Sequence, residues 1–495
     1  MELKIKVSKW AAGIPVAMLN KKTAESLGVH AGDRINLKTL SRNPKEISTI
    51  LDIMEGNLKS DEIYITDEIK KILSLKEGEK IEVSLSQVSK SVSFIKKKLL
   101  GKKLTKDEIK QIIVDVVNNS LSEAEIAVFV SGMYENGMTF EETTYLVEAI
   151  LFSGKRMKFK EKYVVDKHCI GGVAGNRTTP IVVSICAASG LIFPKTSSRA
   201  ITSASGTADC IEVLSPVEFS MDKLKKIVDK VGACLSWGGS LGMVPADSKI
   251  IQIEKMLKLD PPAQLLASIM SKKLAAGSKY ILIDIPYGRG AKVTKQKGKK
   301  LKKKFEKLAN FFKVHISVVL THADEPIGNG VGPAMEIRDV VRVLKREENY
   351  PKDLEKKSIF LAGKILELTK KANKGEGEKL AKEILDSGKA YKKFEEILKA
   401  QGGKVKEIVF SKIKKEIFSN KNGKIKKIDN QEINYLARVA GCPLDKYAGI
   451  YLFHHVGERI KKGEKILTIY AESKPRLKEA IKYYNEKLPI KISFI

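Results

Sequence analysis

The chain has 495 residues, a formal charge of +31 at pH 7 and a hydrophobic share of 43%. That share excludes wholesale disorder, and a chain of this length is expected to form about three or four domains. No apolar run approaches the roughly 18 residues of a membrane span, and the N-terminal MELKIKVSKW has no apolar signal core. We therefore expect a cytoplasmic protein without a membrane partner.

The positive charge is spread as lysine through every region of the chain, often beside glutamate. The densest basic run, TKQKGKKLKKKFEKL (294–308), contains one aromatic residue and indicates a solvated loop that leads into a helix. This pattern favours a lysine-covered surface over a nucleic-acid site, and we expect no nucleic-acid partner. A positive field would still concentrate an anionic small substrate.

The chain contains five cysteines, with no CxxC pair and no spacing typical of metal ligands. A scattered, odd set of cysteines favours reduced thiols. We therefore expect neither a disulfide framework nor a metal site.

Residues 1–88 predict a separate β-rich module. Two stretches, PVAMLNKKTAESLGVHAGDRINLKTL and DEIYITDEIKKILSLKEGEKIEVSL, repeat the order strand, short helix, glycine turn and strand. The first of these helices is predicted over residues 22–27. Such a repeat predicts a small pseudo-symmetric barrel. Because no catalytic cluster is visible in it, we expect the module to serve assembly or regulation.

Residues 89–155 predict a helical domain. Thr105, Ser122 and Thr139 each stand three positions before a glutamate, which is the capping-box pattern that begins a helix. Residues 247–276 are helical in pattern too, and they interrupt the strand-rich sequence around them. We expect that segment to return to the helical domain.

Residues 156–246 and 277–403 alternate β runs with apolar helices. The predicted buried strands are KYVVD (162–166), KYILIDIPY (279–287) and VHISVVLTH (314–322). This alternation is typical of an α/β domain with a mixed, mostly parallel sheet. The fold class predicted for the whole chain is therefore α/β and multidomain.

Residues 404–495 predict a C-terminal α+β module. Its stretch AGIYLFHHVGERIKKGEKILTIYA (448–471) is similar to the hammerhead barrel of biotinyl and lipoyl domains. It lacks the lysine in a tight hairpin that carries a swinging arm in those domains. We expect it to be structural.

The segment DKHCIGGVAGNRTTP (166–180) joins a predicted strand to a predicted helix through a glycine turn. A helix N-terminus presents unpaired N–H groups and a positive dipole end, which favour an anion. Lys167 would add a charge, and Thr178 and Thr179 would add hydroxyl donors. The spacing matches neither a P-loop nor a dinucleotide-binding fingerprint. The alternative is a tight turn that needs glycine for steric reasons.

A second segment, PKTSSRAITSASGTADCIEVL (194–214), is rich in small hydroxyl residues between apolar flanks. Its hydroxyls and the Arg199 guanidinium are suited to phosphate and sugar oxygens. A solvated loop with no ligand is the alternative.

Two further segments carry candidate residues. In DPPAQLLASIMSKKLAAG (260–277), Pro261 suits the first helical position, which would make Asp260 a helix cap, and Ser268 and Lys272 are four apart on one helical face. In IPYGRGAKV (285–293), a strand ends in a glycine-rich loop with Arg289 and Lys292, an anion-compatible arrangement. An ordinary cap, a solvent-facing helix and a plain surface turn are the alternatives.

Taken in chain order, these motifs resemble the thymidine and pyrimidine-nucleoside phosphorylases. KHxxGG, SSRAITSxxGTAD, ASIMSKKLAAG and PIGNGVGPAMEIRDVV follow one another as in that family, and the match runs from about residue 92 to the C-terminus. The chain departs from the pyrimidine enzymes at Cys169, where they have serine, at Ser203, where they have histidine, and at Lys292, where they have an aromatic residue. It also lacks their arginine within residues 249–256. With the extra N-terminal module, these departures resemble an archaeal branch, the AMP phosphorylases.

The resemblance implies phosphorolysis of AMP, with CMP and UMP as further substrates, to the free base and ribose 1,5-bisphosphate in nucleotide salvage. It implies that inorganic phosphate is a co-substrate, that no cofactor is needed, and that the chain forms a homodimer or a higher homo-oligomer through its N-terminal module.

The resemblance also implies roles for individual residues. Asp260 would be the catalytic proton donor to the departing base. Lys167, Thr179 and Thr207 would contact the attacking phosphate, and Lys292 would hold the 5′-phosphate. Lys272 would lie on the helix beside the base. The residues expected to line the nucleotide are Gly172, Ser198, Arg199, Ala200, Ile201, Thr202, Ser203, Thr207, Ser268 and Lys292.

Three other functions stay open at this point. The chain could be a phosphorylase of thymidine or uridine, or a phosphoribosyl-binding regulator or RNA-binding protein that keeps the fold without activity. An anthranilate phosphoribosyltransferase is disfavoured because that enzyme handles pyrophosphate with magnesium, and the sequence shows no acidic metal pair.

Overall fold

The computed structural model describes residues 1–7, 15–86, 89–200 and 203–493. The chain forms two compact units. The first contains residues 1–153 and 244–268, and the second contains residues 154–243 and 269–495.

The first unit begins with a closed six-stranded barrel in the order β1-β5-β2-β4-β3-β6. Its elements are β1 (Glu2–Val7), β2 (Val16–Asn20), α1 (Lys21–Leu27), β3 (Arg34–Thr39), β4 (Glu46–Met54), β5 (Glu62–Ile65), α2 (Asp67–Leu73) and β6 (Lys80–Leu85). The pairs β1–β5 and β2–β4 are parallel and the other four are antiparallel. Exchanging β1, β2 and β3 with β4, β5 and β6 reproduces the same pairs, so the predicted pseudo-symmetric barrel is confirmed.

Four helices follow the barrel and form a bundle within the first unit. They are α3 (Ser91–Leu99), α4 (Lys106–Val117), α5 (Glu123–Asn136) and α6 (Phe140–Phe152). The three predicted capping boxes are confirmed at the starts of α4, α5 and α6. Glu142, in the box of α6, also accepts hydrogen bonds from Leu104 N at 2.9 Å and from Lys98 Nζ at 3.0 Å inside the bundle. One local motif therefore starts a helix and neutralises a buried lysine.

The second unit opens with the first half of the α/β domain. Its elements are β7 (Val165–Cys169), α7 (Thr178–Ala188), β8 (Phe193–Ser197), α8 (Thr207–Ile211), α9 (Met221–Val231), β9 (Ala233–Trp237) and a 3₁₀ turn at Gly238–Ser240. The strand predicted over 162–166 is displaced by three residues. The reason is its register, because β7 pairs residues 165–169 with residues 280–284 of a later strand. Lys167 and Cys169 are therefore strand residues and not loop residues.

Two helices come next, α10 (Pro245–Leu257) and α11 (Pro262–Ala275). α10 packs against α4 and α5 within the first unit. Lys249 of α10 donates to the last carbonyls of α4, Val116 O at 2.8 Å and Val117 O at 3.1 Å, and burial lowers the pKa of this lysine to about 8. Basic side chains at a helix C-terminus offset its negative dipole end.

The rest of the α/β domain contains β10 (Tyr280–Tyr287), α12 (Lys295–Phe311), β11 (His315–His322), β12 (Gly330–Val331), α13 (Pro333–Lys345), α14 (Lys352–Leu368), α15 (Gly377–Asp386) and α16 (Lys389–Gln401). The strands run in the orders β11-β10-β7 and β8-β9, and a parallel bridge between Val164 and Ile192 joins the two sets. Every described strand pair of these two sets is parallel, where a mixed sheet was predicted, because helical crossovers separate the strands. α12 begins directly at Lys295, so the basic run predicted to start as a loop is helical.

The C-terminal module consists of β13 (Lys414–Phe418), β14 (Gly423–Ile428), α17 (Asn430–Ala440), β15 (Gly449–Leu452), β16 (Arg459–Ile460), β17 (Lys465–Tyr470), α18 (Lys474–Lys487) and β18 (Ile490–Ser493). Its sheets have the orders β12-β15-β17-β13 and β16-β14-β18. β12 comes from the α/β domain, so backbone pairing joins this module to that domain. The similarity to a hammerhead barrel stays a prediction. In the described ranges, no helix has both the length and the apolar composition needed to cross a membrane.

Candidate active site

Lys167 lies in β7, between β10 and the bridge to β8, and its side chain is only 1% exposed. Its ammonium donates to Thr178 Oγ1 at 2.7 Å and to Thr179 Oγ1 at 3.2 Å, in the first turn of α7. Burial lowers the pKa of Lys167 to about 8. Within the described ranges this ammonium forms no ion pair with a carboxylate. The structure thus brings Lys167 and Thr179 together, as the sequence predicted.

The first turn of α7 adds to the positive character of this place. The first N–H groups of a helix have no intrahelical acceptor and carry the positive end of its dipole. Pro180 is the third residue of this helix and has no backbone N–H, so it adds no unpaired donor to the first turn. An anion bound at this turn would meet backbone donors, two hydroxyls and the Lys167 ammonium.

The glycine turn between β7 and α7 is needed for close packing. Gly172 has φ +91°, and a Cβ on it would lie 2.8 Å from Lys292 N. Gly175 has φ +66°, and a Cβ there would lie 2.3 Å from Ile327 O. Both positions therefore need glycine for steric reasons, which was the alternative explanation for this turn. Gly172 lies directly against the backbone of Lys292.

Asp166 of β7 is fully buried between two lysines. Its carboxylate accepts from Lys195 Nζ at 3.2 Å and from Lys273 Nζ at 2.8 Å. Burial, partly offset by Asp166 and reinforced by Lys195, lowers the pKa of Lys273 to about 7. One carboxylate thus balances only one of two buried ammonium groups.

A second buried aspartate lies on β10. Asp284 accepts from Thr321 Oγ1 at 2.6 Å and forms an ion pair with Lys357 at 3.2 Å. Burial and the surrounding lysines hold the pKa of His168 well below its usual value, so its imidazole is neutral at pH 7. Four lysines (167, 195, 273 and 357) thus face two aspartates around β7, and an anion would neutralise the excess.

Cys169 is half-buried in β7. Its sulfur accepts from Asn176 Nδ2 at 3.4 Å, and burial raises the pKa of the thiol. It is therefore a neutral thiol and a poor hydrogen-bond donor at physiological pH.

The loop between β8 and α8 is held closed by Asp209, whose Oδ2 accepts from Ala200 N at 2.8 Å and from Gly206 N at 2.7 Å. A Cβ on Gly206 would lie 2.3 Å from Ser198 O, so the two ends of the loop touch. Ser198 is exposed, and the half-buried Ser203 donates to Ser205 O at 2.5 Å. The predicted nucleotide-lining residues Ile201 and Thr202 lie outside the described residues.

Arg199 is engaged by three carboxylates. Its guanidinium donates to Asp209 at 3.2 Å, to Glu212 at 2.8 and 2.9 Å and to Glu218 at 2.8 Å. It also stacks over Trp237, 4.9 Å from the ring centroid. These contacts use the donors that the sequence assigned to phosphate and sugar oxygens, so its ligand role stays a prediction, and its evident task is to fix the loop.

Arg177, the residue before α7, connects this helix to Thr207. Its Nη1 donates to Thr207 Oγ1 at 2.8 Å, and its Nη2 donates to Ser205 O at 2.8 Å. Its Nε donates to Glu336 of α13 at 2.8 Å. The predicted phosphate residues Thr179 and Thr207 are thereby linked through one buried side chain that the sequence did not single out.

Helix α17 of the C-terminal module contacts the glycine turn before α7 and the loop between β8 and α8. It does so with two asparagines four residues apart. Asn430 Oδ1 accepts from Ala174 N at 3.1 Å in the glycine turn, and Asn434 Oδ1 accepts from Ala204 N at 2.9 Å in the second loop. A cavity of about 310 Å³ lies beside this helix. It is lined by Gly172, Gly290, Ala291, Lys292, Gln431, Asn434, Tyr435 and Arg438. This lining has two cationic side chains and no acidic one.

Three candidates lie on or beside α11. Asp260 is exposed, the Ser268 side chain is buried and Lys272 is half-buried. The helix begins at Pro262, so the prediction that Pro261 takes the first helical position is wrong. A residue before a proline avoids helical dihedral angles, and Pro262 imposes that restriction on Pro261. Asp260 and Ser268 belong to the first unit, and their roles stay predictions.

Comparison with known proteins places these domains in a family. Residues 92–154 match the model described as "Glycosyl transferase family, helical bundle domain", and residues 161–391 match its "a/b domain". Residues 424–491 match the "Pyrimidine nucleoside phosphorylase C-terminal domain".

Curated relatives extend the match to nearly the whole chain. The AMP phosphorylase of Methanococcoides burtonii is 41% identical over 99% of this chain and 97% of its own length. Those of Pyrococcus furiosus and Thermococcus kodakarensis are 42% and 41% identical, each over 99% of this chain and 98% of its own length. The chain belongs to the AMP phosphorylase family.

Membership of the AMP phosphorylase family confirms the resemblance inferred from the motifs. A solved anthranilate phosphoribosyltransferase from Thermus thermophilus has a TM-score of 0.52 to this chain, with 19% identity, and covers 62% of this chain and 99% of its own. That likeness shows a shared fold alone. Within the described ranges, no group of three or more His, Cys, Asp or Glu side chains is arranged to hold a metal ion.

We expect Gly206→Ala to displace the second loop of this AMP phosphorylase family member. Its Cβ would meet backbone atoms, and such overpacking lowers the free energy of unfolding by about 1–3 kcal/mol. Arg199 would move off Trp237, so the fluorescence emission of that tryptophan should change. Gly238→Ala is the matched control, because its Cβ meets only ordinary contacts from 3.5 Å outward. Equal emission and equal stability in the two variants would contradict the close approach of the loop ends.

Proposed function

We propose that this chain cleaves AMP with inorganic phosphate to give adenine and ribose 1,5-bisphosphate, and that CMP and UMP are further substrates. The observation that carries the proposal is the buried Lys167 ammonium at the first turn of α7, within a cluster where lysines outnumber aspartates. Membership of the AMP phosphorylase family supports AMP as the nucleotide.

The proposed reaction exchanges one bond at C1′ of the ribose. The C1′–N9 bond breaks and its electron pair leaves with adenine, while a phosphate oxygen forms the new bond to C1′. Asp260 gives a proton to the departing base, and the proton of hydrogen phosphate balances the reaction overall. The transition state resembles an oxocarbenium ion between two anions, so positioning and electrostatics supply most of the rate.

The attacking phosphate is proposed to bind at Lys167, Thr179 and Thr207. The lysine can only donate hydrogen bonds, so Thr179 accepts from Lys167 and its own hydroxyl proton is available to the phosphate. Backbone N–H groups at the start of α7 add further donors. Phosphate is a co-substrate here, and the proposal needs no cofactor.

The 5′-phosphate of AMP is proposed to bind in the cavity between Lys292 and α17. Its lining supplies two cations, Lys292 and Arg438, and close backbone at Gly172 and Gly290. A nucleoside has no group that needs these charges. The same cavity therefore offers a physical reason for a preference for nucleotides over nucleosides.

The remaining parts of the chain are given supporting roles in this proposal. The N-terminal barrel would serve assembly of a cytoplasmic homodimer or higher homo-oligomer, which the mass of the intact chain in solution tests. The hammerhead-like C-terminal module would be structural apart from α17.

Product analysis tests the function directly. Incubation of the intact protein with AMP and phosphate should release adenine and a bisphosphorylated pentose. Faster turnover of adenosine, thymidine or uridine would favour a nucleoside phosphorylase. Salt-dependent RNA binding without any adenine release would favour an inactive nucleic-acid-binding protein.

Asp260→Asn should lower kcat by about 10²- to 10⁴-fold, the range typical of a lost general acid, with KM for AMP nearly unchanged. The amide keeps the size of the side chain but has no acidic proton that it could transfer to the base. Lys255→Gln, an exposed change on the preceding helix, is the control and should leave kcat as it is. Wild-type turnover in Asp260→Asn would remove the acid role.

Lys292→Ala and Arg438→Ala should each raise KM for AMP by about 10- to 100-fold, because each removes a charge-assisted contact. KM for phosphate should change little. Lys299→Ala removes the same charge from an exposed position of α12 and controls for long-range field effects. A larger rise in KM for phosphate than in KM for AMP would indicate that these side chains bind the attacking phosphate and not the 5′-phosphate of AMP.

Phosphate affinity should fall as pH rises through about 8, where the buried Lys167 loses its proton. Burial favours the neutral amine, so the charged form persists only below that pH. Calorimetric titration of phosphate should show Kd rising by up to about tenfold per pH unit above it. In Lys167→Arg the charge does not titrate, and the same rise in that variant would exclude Lys167 as its cause.

A further inference from the structure

Arg177 is a buried cation between three elements of the proposed phosphate site, and the reaction scheme above gives it no task. It stands immediately before Thr178 and Thr179, and 7% of it is exposed. Its guanidinium spans from Glu336 of α13 to Thr207 at the start of α8. It is the side chain through which Thr207 is joined to α7.

The direction of these hydrogen bonds is fixed by chemistry. A guanidinium has five N–H donors and no acceptor. Nε and Nη2 bind Glu336 at 2.8 and 2.6 Å, Nη2 also binds Ser205 O at 2.8 Å, and Nη1 binds Thr207 Oγ1 at 2.8 Å. The Thr207 oxygen must therefore accept from Arg177, which leaves its own proton for a different acceptor.

Glu336 holds the guanidinium in this orientation. Its second oxygen accepts from Ser205 Oγ and from Gly332 N at 3.0 Å, so the carboxylate is fixed on both sides. The other oxygen, Oε2, accepts from both Nε and Nη2 of Arg177, so two charge-assisted contacts converge on it. In this orientation the guanidinium presents its Nη1 N–H to Thr207.

We propose that Arg177 is a positioning residue that sets the Thr207 hydroxyl as a donor to the attacking phosphate. This inference rests on the proposed function for the identity of the anion. It assigns Arg177 no direct bond to the phosphate. The effect of Arg177 on phosphate binding passes through Thr207, and a double-mutant cycle measures that dependence.

The experiment measures Kd for inorganic phosphate by titration calorimetry in four proteins: wild type, Arg177→Lys, Thr207→Val and the double variant. Lysine keeps a cation beside Glu336 but lacks the fork that reaches Thr207. Each single change should raise Kd about tenfold, and the double variant should exceed the larger single effect by less than about twofold. Thr207→Ser keeps the hydroxyl and should bind phosphate almost as the wild type does.

Circular dichroism and Trp237 emission, measured on the same proteins below their unfolding temperatures, should match the wild type and so show that each variant is folded. Multiplicative effects, about a hundredfold in the double variant, would mean that Arg177 acts on phosphate independently of Thr207 and would overturn the proposal. Unchanged binding in Arg177→Lys would overturn it as well.

The outcome is separable from that of the proposed function. A wild-type protein that binds phosphate but releases no adenine from AMP would sink the proposed reaction, while the cycle would still decide the role of Arg177. A wild-type protein that binds no phosphate would overturn both.

Discussion

The site depends on one unfavourable arrangement, a buried ammonium directed at the positive end of a helix. Lys167 is held in β7 by the pairing with β10, and its ammonium reaches the first turn of α7. Two like charges face each other there, and the lowered pKa of Lys167 follows from its burial. Two threonine hydroxyls stabilise the buried ammonium by accepting hydrogen bonds from it. An anion would make it favourable, because it would be attracted by both charges at once.

The C-terminal module takes part in this constraint through α17. The glycine turn and the loop between β8 and α8 each donate a backbone N–H to an asparagine side chain of that helix. Asn430 and Asn434 are one helical turn apart, so the helix sets the spacing of the two loops. β12 pairs with β15 and fixes the module itself to the α/β domain. The separation of the proposed phosphate and nucleotide loops is thus set by a helix more than two hundred residues away in sequence.

Local features of this chain were predictable from sequence because their causes are local. The capping boxes and the glycine turn before α7 depend on residues within one or two turns of one another, and each half of the barrel repeats a strand, a helix and a strand that follow one another in the chain. The first strand of the α/β domain was misplaced because its limits are set by pairing with β10, over a hundred residues later. The start of α11, one residue later than predicted, has a local cause as well, because Pro262 disfavours helical dihedral angles at Pro261. Arg177 with Glu336 and Asn434 with Ala204 are long-range pairs, separated by 159 and 230 residues, and no spacing in the sequence marks them.

The hydroxyls of the site share a property that no single contact reveals. Thr178 and Thr179 accept from Lys167, and Thr207 accepts from Arg177, so each hydroxyl oxygen receives a hydrogen bond from a cation. Each hydroxyl proton is then turned away from the protein cation that it faces. A ligand bound to these hydroxyls is offered three O–H donors, which suits an oxyanion, whose oxygens accept. The suitability of this place for the proposed phosphate therefore follows from the polarity of these hydrogen bonds as well as from charge.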